Sequence, residues 1–376
     1  MVINKQRMLK EFLELIKVKC PSRAERPAAD IVKQRLRELG ATVREDDVAG
    51  RIGGNCGNVV ADIKGSVSGA PVIMLTAHLD CVQPCGCENP QIRDGIIDSG
   101  GDTVLGGDDK AGGAAILEGL RVVRENNLPH GDIQVVFTVA EEGGLGGSEN
   151  IDRRLLRAAV GYAFDSGGEP GKIIVAAPGQ NHIEVVVRGK TAHAGVAPEE
   201  GINAIALAGR ALAVLRQGRI DEETTSNVGI IQGGQATNIV PDKVVLHCEV
   251  RSHKAAKLAA ETAYLSDVFR QAATAGGGQA EVKVAPAYQA FRISEDSPAV
   301  KLIVAAAARS GLRPALEVTG GGSDANFFNS YGIPTAVLGV GMTKIHTTGE
   351  YIREADLYKA AELAAALIGT AAGGEF

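Results

Sequence analysis

The sequence predicts an α/β protein in two parts, a mostly parallel sheet interrupted by a smaller inserted domain. Three observations carry that expectation. Over residues 71–164 short apolar runs ("PVIMLTAH", "IQVVFTVAEE", "VGYAFD") alternate with helical patterning, as βαβ units and a parallel sheet require. After Gly179 the order becomes strand, helix, two strands, helix, strand, the βαββαβ arrangement of a ferredoxin-like domain. From about Phe291 the first style returns, with "SPAVKLIVAAAARSG" as helix and "IPTAVLGVG" as apolar strand. The boundaries that follow are 1–179 and 290–376 for the larger, discontinuous domain and 180–289 for the insert. At 376 residues, 45% hydrophobic and 22% charged, the chain is long enough for two cores.

Taken in order, the first element is "MVINKQRMLKEFLELIKVKC", in which Lys10, Glu11, Glu14 and Lys17 interrupt the apolar positions. That is an amphipathic helix and not the apolar run of a signal peptide, so a cytoplasmic protein is expected. No stretch is long enough and charge-free enough to span a membrane. Six cysteines in such a chain read as reduced thiols. A net charge of −6 without any Lys/Arg-rich block argues against nucleic acid or an anionic membrane as partner.

Between the first two apolar runs lies "DDKAGGAAILEGLRVVREN", with Ile116, Leu117, Leu120 and Val123 at helical spacing. In the insert, "HIEVVVRG", "SNVGIIQGG", "KVVLHCEVRS" and "AEVKVAPAY" read as strands, and residues 202–215 and 255–273 as helices. Two look-alikes fail. "RGKT" at 188–191 has Glu184 where a phosphate-binding loop needs glycine, and "GGGSDA" at 320–325 has Ala325 where a nucleophile elbow needs glycine.

Candidate ligands fall at equivalent places. His78 and Asp80 end the first run, Glu141 and Glu142 the second, Asp165 the third, and His346 follows the last. Open α/β sheets bind ligands outside the carboxyl ends of their strands, so these positions converge on one crevice. Asp108, where a glycine-rich loop enters a helix, reaches the same rim and has two oxygens with which to bridge cations. Histidine with carboxylates suits zinc, manganese or cobalt. On strand geometry, His78 and Asp80 face the same way, letting Asp80 fix the imidazole tautomer, whereas Glu141 and Glu142 point apart, one toward metal and one free as a base.

"HLD", "GGDDKAGG", "AEEGGLGG", "FDSGG" and "KIHTTGE", in this order around an inserted "GKTAHAGVAPEEGINAI", closely resemble the M20 metallopeptidases, particularly the peptidase T-like branch, nearly end to end. The resemblance implies a zinc-exopeptidase-type catalytic domain carrying an inserted lid and dimerisation domain. It implies two divalent ions, zinc first and manganese or cobalt as substitutes: one on His78 and Asp165, one on Glu142 and His346, with Asp108 between them. Glu141 becomes the general base and Asp80 the orienter of His78. The implied reaction is hydrolysis of an amide bond by a metal-activated water whose proton Glu141 takes and returns to the leaving amine.

For the insert, the resemblance implies that His193 in "TAHAG" hydrogen-bonds the tetrahedral oxyanion from the partner subunit of a homodimer. Asn238, Arg251 and the backbone around Gly321, Gly322 and Ser323 would hold a substrate carboxylate or carbonyl. The implied substrate is a short peptide, cleaved as by a tripeptidase or aminopeptidase. The wider family also contains amidohydrolases of N-substituted amino acids, and a non-catalytic metal-binding homologue is the third alternative. Cys81, Cys85 and Cys87 stand at non-ligand positions, and Cys85-x-Cys87 is too close for usual zinc spacing, though their place near the rim leaves them open to oxidation. Plainer roles exist for His193 as a surface residue and for Asn238 and Arg251 as inter-strand hydrogen-bonders. His130, His182, His247 and His253 read as structural or exposed, and Glu149, Glu169, Glu199 and Glu200 as solvated.

Overall fold

The computed structural model describes residues 2–373. Four parallel strands make the middle of a nine-stranded sheet, in the order Ile133–Thr138, Ile73–His78, Val160–Ser166 and Thr335–Gly339. Antiparallel strands extend it, Val59–Ile63 and Thr42–Glu45 on one side and Lys172–Ala177 on the other. Every residue of Ile73–His78 and Ile133–Thr138 is buried. Burial on both faces is why these strands read as continuous apolar runs and not as alternations. His78 lies opposite Thr138, and Ala163 lies opposite both Thr76 and Val337. The carboxyl ends of all four strands therefore open along one edge.

Helix Gly107–Glu125 leaves from that edge and packs on the C-terminal helix Glu354–Ala371. Gly119 permits the close approach, since a Cβ there would lie 2.7 Å from the Cβ of Ala364. The N-terminal helix, Lys5–Ile16, buries Met8, Phe12, Leu15 and Ile16, and Asn4 caps it by accepting from the Arg7 N–H at 3.0 Å.

The chain divides into two compact units. Among the described residues, one holds those up to Ala176, Arg292–Val318 and those from Ser323 onward; the other holds Ala177–Phe291 with Thr319–Gly322. In the second unit, five antiparallel strands run in the order Gly218–Arg219, Thr224–Gly233, Lys243–Ser252, Gly179–Arg188, Gln279–Tyr288. Helices Ala204–Val214 and Ala255–Ala275 complete the βαββαβ order. Alternation on Gly179–Arg188 and Lys243–Ser252 sends Ile183, Val185, Val187, Val244, Leu246 and Val250 into a core with Leu207, Leu265 and Phe269. The α/β class, with a mostly parallel sheet and a separate antiparallel one, is the class the sequence predicts.

One local expectation fails. The run "IQVVFTVAEE" does not continue as strand to Glu142 but ends at Thr138, and Ala140 and Leu145 take positive φ of 51° and 62°. Glu141 and Glu142 therefore sit in a turn, where strand alternation does not govern the direction of their side chains.

Candidate metal centre

His78 sits at the last position of its strand, buried, with Nε2 3.1 Å from Asp108 Oδ1 and 3.6 Å from Asp165 Oδ1. His346 Nε2 lies 3.2 Å from the other Asp108 oxygen, Oδ2, and 2.9 Å from Glu142 Oε1. The Asp108 carboxylate thus stands between two imidazoles. Three groups of side chains bring ligand atoms within 4.8 Å of one another: His78, Asp108 and Asp165; Asp108, Glu142 and His346; and His78, Glu141 and Glu142. Glu141 and Glu142 do not point apart as the strand geometry predicted, because both belong to the last group. No cysteine joins any of these groups among the described residues.

Asp80 holds the centre in place. Its Oδ1 is 3.4 Å from His78 Nδ1 and accepts from the Glu141 N–H at 2.9 Å. Its Oδ2 accepts from the Glu142 N–H at 3.0 Å and from the Ser22 hydroxyl at 2.5 Å. His78 Nδ1 also lies 3.2 Å from the Asp80 backbone carbonyl, so Asp80 as a whole fixes the tautomer of His78, and its carboxylate fixes the turn that carries Glu141 and Glu142.

Further buried acids repeat the device, and sequence reasoning missed them. Asp109 accepts from the backbone N–H groups of His78 at 3.2 Å and Gly112 at 3.1 Å. Glu350 accepts from Gly106 at 2.8 Å and Asp108 at 3.0 Å. Glu25 accepts from Ala140 at 2.9 Å, and Asp324 takes the Thr138 hydroxyl. The signal was present for two of them, since Asp109 lies inside "GGDDKAGG" and Glu350 ends "KIHTTGE". Lys110, buried beneath, donates to the Asp80 carbonyl at 3.1 Å.

The electrostatics follow from so many buried acids. Desolvation, and then repulsion from Asp109, holds Asp165 well above the usual carboxylate range. Desolvation does the same to Glu141, opposed by His78 and assisted by Asp324 and Glu142. Asp108 goes the other way: burial pushes it up, but hydrogen bonds from His346 and His78 hold it below its ordinary value. The bonds to Asp108 and Glu142 push His346 up to about 10. Glu142 Oε1 is buried with no well-aligned donor, although His346 Nε2 is close. Two imidazoles and clustered buried carboxylates are a donor set that fits divalent cations.

The other predicted residues lie in the second unit, apart from Ser323. His193 is exposed, and its Nδ1 accepts from the Gly195 N–H at 3.2 Å, which puts the ring proton on Nε2. Asn238 is its neighbour, through the Ala194 N–H to Asn238 carbonyl bond of 2.9 Å. Arg251 makes two bonds to Glu249, at 3.0 and 2.9 Å. The N–H of Gly321 is bonded to the Thr319 hydroxyl and that of Ser323 to the Asn326 side chain, while Gly322 lies against the Tyr288 ring.

The sequence profile of peptidase family M20/M25/M40 matches residues 74–370. The uncharacterized protein YqjE of Bacillus subtilis is 41% identical over 371 residues, covering 99% of this chain and 100% of that one. The crystal structure of aminopeptidase PepT from Bacillus cereus matches with a TM-score of 0.91 and 42% identity over 98% of this chain and 99% of that one. That of a tripeptidase from Staphylococcus aureus matches with a TM-score of 0.95 and 40% identity over 99% and 100%.

A centre this rich in buried acid should be stabilised by cations. Adding zinc to chelator-stripped protein is expected to raise the melting temperature, with a gain of roughly 4 kcal/mol when free metal is about 1,000 times its Kd. Asp108→Ala should lose most of that rise. An equal rise in the variant would separate Asp108 from metal binding.

Proposed function

The chain belongs to peptidase family M20/M25/M40, and from that membership we propose that it is a two-metal exopeptidase cleaving short peptides, with Glu141 as general base. The observation that carries this is the Asp108 carboxylate, whose two oxygens face His78 and His346 at 3.1 and 3.2 Å. His78 and Asp165 would hold one ion, Glu142 and His346 the other, and Asp108 both, with zinc the first choice for this donor set and manganese or cobalt able to replace it. When bound, the ions polarise a carbonyl and acidify a water.

The protein's own residues do the rest. Glu141 is anchored through its backbone N–H on Asp80, and burial raises its carboxyl well above the usual range. A more basic carboxylate is better suited to take a proton from water and to return it to the leaving amine. His193 Nε2 carries a proton to offer an oxyanion. Asn238, Arg251, Gly321, Gly322 and Ser323 are the proposed contacts for substrate, with the Arg251 guanidinium needing to share or exchange its partner Glu249.

A homodimer through the second unit is part of the proposal. Among the described residues its edge strand Thr224–Gly233 pairs on the outside only with the two-residue strand Gly218–Arg219, and Ile230 and Ile231 are each 50% exposed on it. Unpaired edges and exposed apolar side chains mark surfaces that associate. A cytoplasmic setting fits six unpaired cysteines, and no helix among the described residues is long and apolar enough to cross a membrane.

Near-complete coverage by a tripeptidase and an aminopeptidase at 40% and 42% identity supports peptide substrates. Tripeptides should therefore be turned over by the metal-loaded protein when offered beside dipeptides and N-acyl amino acids. Turnover of N-acyl amino acids alone would replace the peptidase with an amidohydrolase, and inertness toward all three would leave a binding protein.

Glu141→Gln should keep its metal and lose about 10²-fold or more in turnover. Refolded as an equal mixture with His193→Ala, it should regain roughly a quarter of wild-type activity, because about half the dimers would be mixed and carry one complete site of two. A mixture that exchanges subunits yet stays inactive would contradict the sharing of His193.

A further inference from the structure

Arg251 carries an internal carboxylate. Val244, Leu246 and Val250 of strand Lys243–Ser252 enter the core of the second unit, so alternation sends His247, Glu249 and Arg251 to the open face of the sheet. On that face Arg251 Nε and Nη2 donate to the two Glu249 oxygens at 3.0 and 2.9 Å. Gln180, 4% exposed, donates to Glu249 Oε2 at 2.8 Å. On the neighbouring strand Gly179–Arg188, Gln180 stands opposite Arg251 and His182 opposite Glu249. His182 is exposed, and no hydrogen bond or ion pair engages its ring among the described residues.

We propose that Glu249 is a specificity-determining residue: an internal competitor on Arg251 that a substrate displaces efficiently only if it ends in a free carboxylate. The selection rests on the hydrolase function proposed above, with Arg251 as a substrate contact.

The chemistry of the pair makes the choice. A bidentate guanidinium–carboxylate pair is charge-assisted and roughly twice as strong as a bond between neutral groups. A substrate carboxylate replaces Glu249 with its equal. A neutral amide carbonyl offers one uncharged acceptor in place of two charge-assisted bonds and loses the exchange. Nor does a carboxylate simply join the pair, because two negative charges would then face one another across a single positive one. Discrimination comes from what the wrong ligand has to break.

The displaced side chain has a second partner within reach. Its Oε2 keeps the Gln180 bond. Residues directly opposite on antiparallel strands have Cβ atoms about 4.5–5.5 Å apart, so rotation about the Glu249 side-chain torsions carries its other oxygen from Arg251 to the His182 ring, which has an N–H to donate. Glu249 thus exchanges one donor for another and is not left unpaired on a half-buried face. Without substrate it lies on Arg251; with substrate it lies on His182.

The test compares tripeptides with their C-terminal amides on the metal-loaded full-length protein. The wild type is expected to prefer the acid roughly 10-fold or more in kcat/KM. Glu249→Gln keeps the shape and weakens the competitor. It should lower KM for both substrates, more for the amide, shrinking the preference by roughly 10-fold through KM and not through kcat. His182→Ala should raise KM for the acid, and should do so no longer in the Glu249→Gln background, a coupling that a merely structural role for either residue would not produce.

Equal use of acid and amide by the wild type, a higher KM for the acid in Glu249→Gln, or the same effect of His182→Ala in both backgrounds would each overturn the exchange. If only N-acyl amino acids are cleaved, the peptidase reading fails, and the same ratio is taken from them and their amides, which differ in the same carboxylate. If nothing is cleaved, calorimetry with these acids and amides decides: no binding, or no preference for the acid, overturns the proposal.

Discussion

The Asp80 carboxylate is the constraint on which the centre depends. It is fully buried, and its two oxygens engage the His78 ring, the backbone of Glu141 and of Glu142, and the Ser22 hydroxyl. Hydrogen bonds to a charged group contribute about 1.5–3 kcal/mol each, and these also remove the freedom of the turn after Thr138. Beside that anchor, the Glu25 carboxylate accepts from the Ala140 N–H and the Asn58 side chain from the Val139 N–H, and the turn closes on itself through the Gly146 N–H to Ala140 carbonyl bond. The same device, a buried acid holding backbone N–H groups, recurs at Asp109 and Glu350. The ligand side chains are held by what grips their loops, and the buried carboxylates gathered there suit the centre to cations.

The sheet was legible in the sequence because burial on both faces leaves an unmistakable signal. Strands such as Ile73–His78 and Val160–Ser166 are continuous apolar runs, and chemistry-bearing residues directly after such runs must fall on one edge. The insert was legible for the opposite reason: its strands alternate, and a period of two beside helical stretches separates it from its surroundings. The turn at Glu141 was not legible, since "VFTVAEE" has the composition of a strand and only the positive φ at Ala140 ends it. Of the supporting acids, Asp109 and Glu350 fall inside recognisable motifs, but the reach of Glu350 to Gly106 spans 244 positions of sequence, and Asp324 reaches Thr138 across 186 with nothing local to announce the contact.

The second unit poses a different physical problem. Its core is an ordinary alternation of Val, Ile and Leu under two helices, but its polar features are already engaged with one another. Arg251 is held by Glu249, which Gln180 also contacts at 2.8 Å, and the N–H of Gly321 is bonded to the Thr319 hydroxyl. The substrate contacts proposed for this unit would have to compete with these bonds by exchanging partners.

The most direct measurement is anomalous diffraction at the zinc absorption edge, from crystals of the protein grown with zinc. Two peaks per chain, about 3.5–4 Å apart with the Asp108 carboxylate between them, are predicted. A single peak that Asp108 does not touch, or peaks on the cysteine sulfurs, would contradict the account.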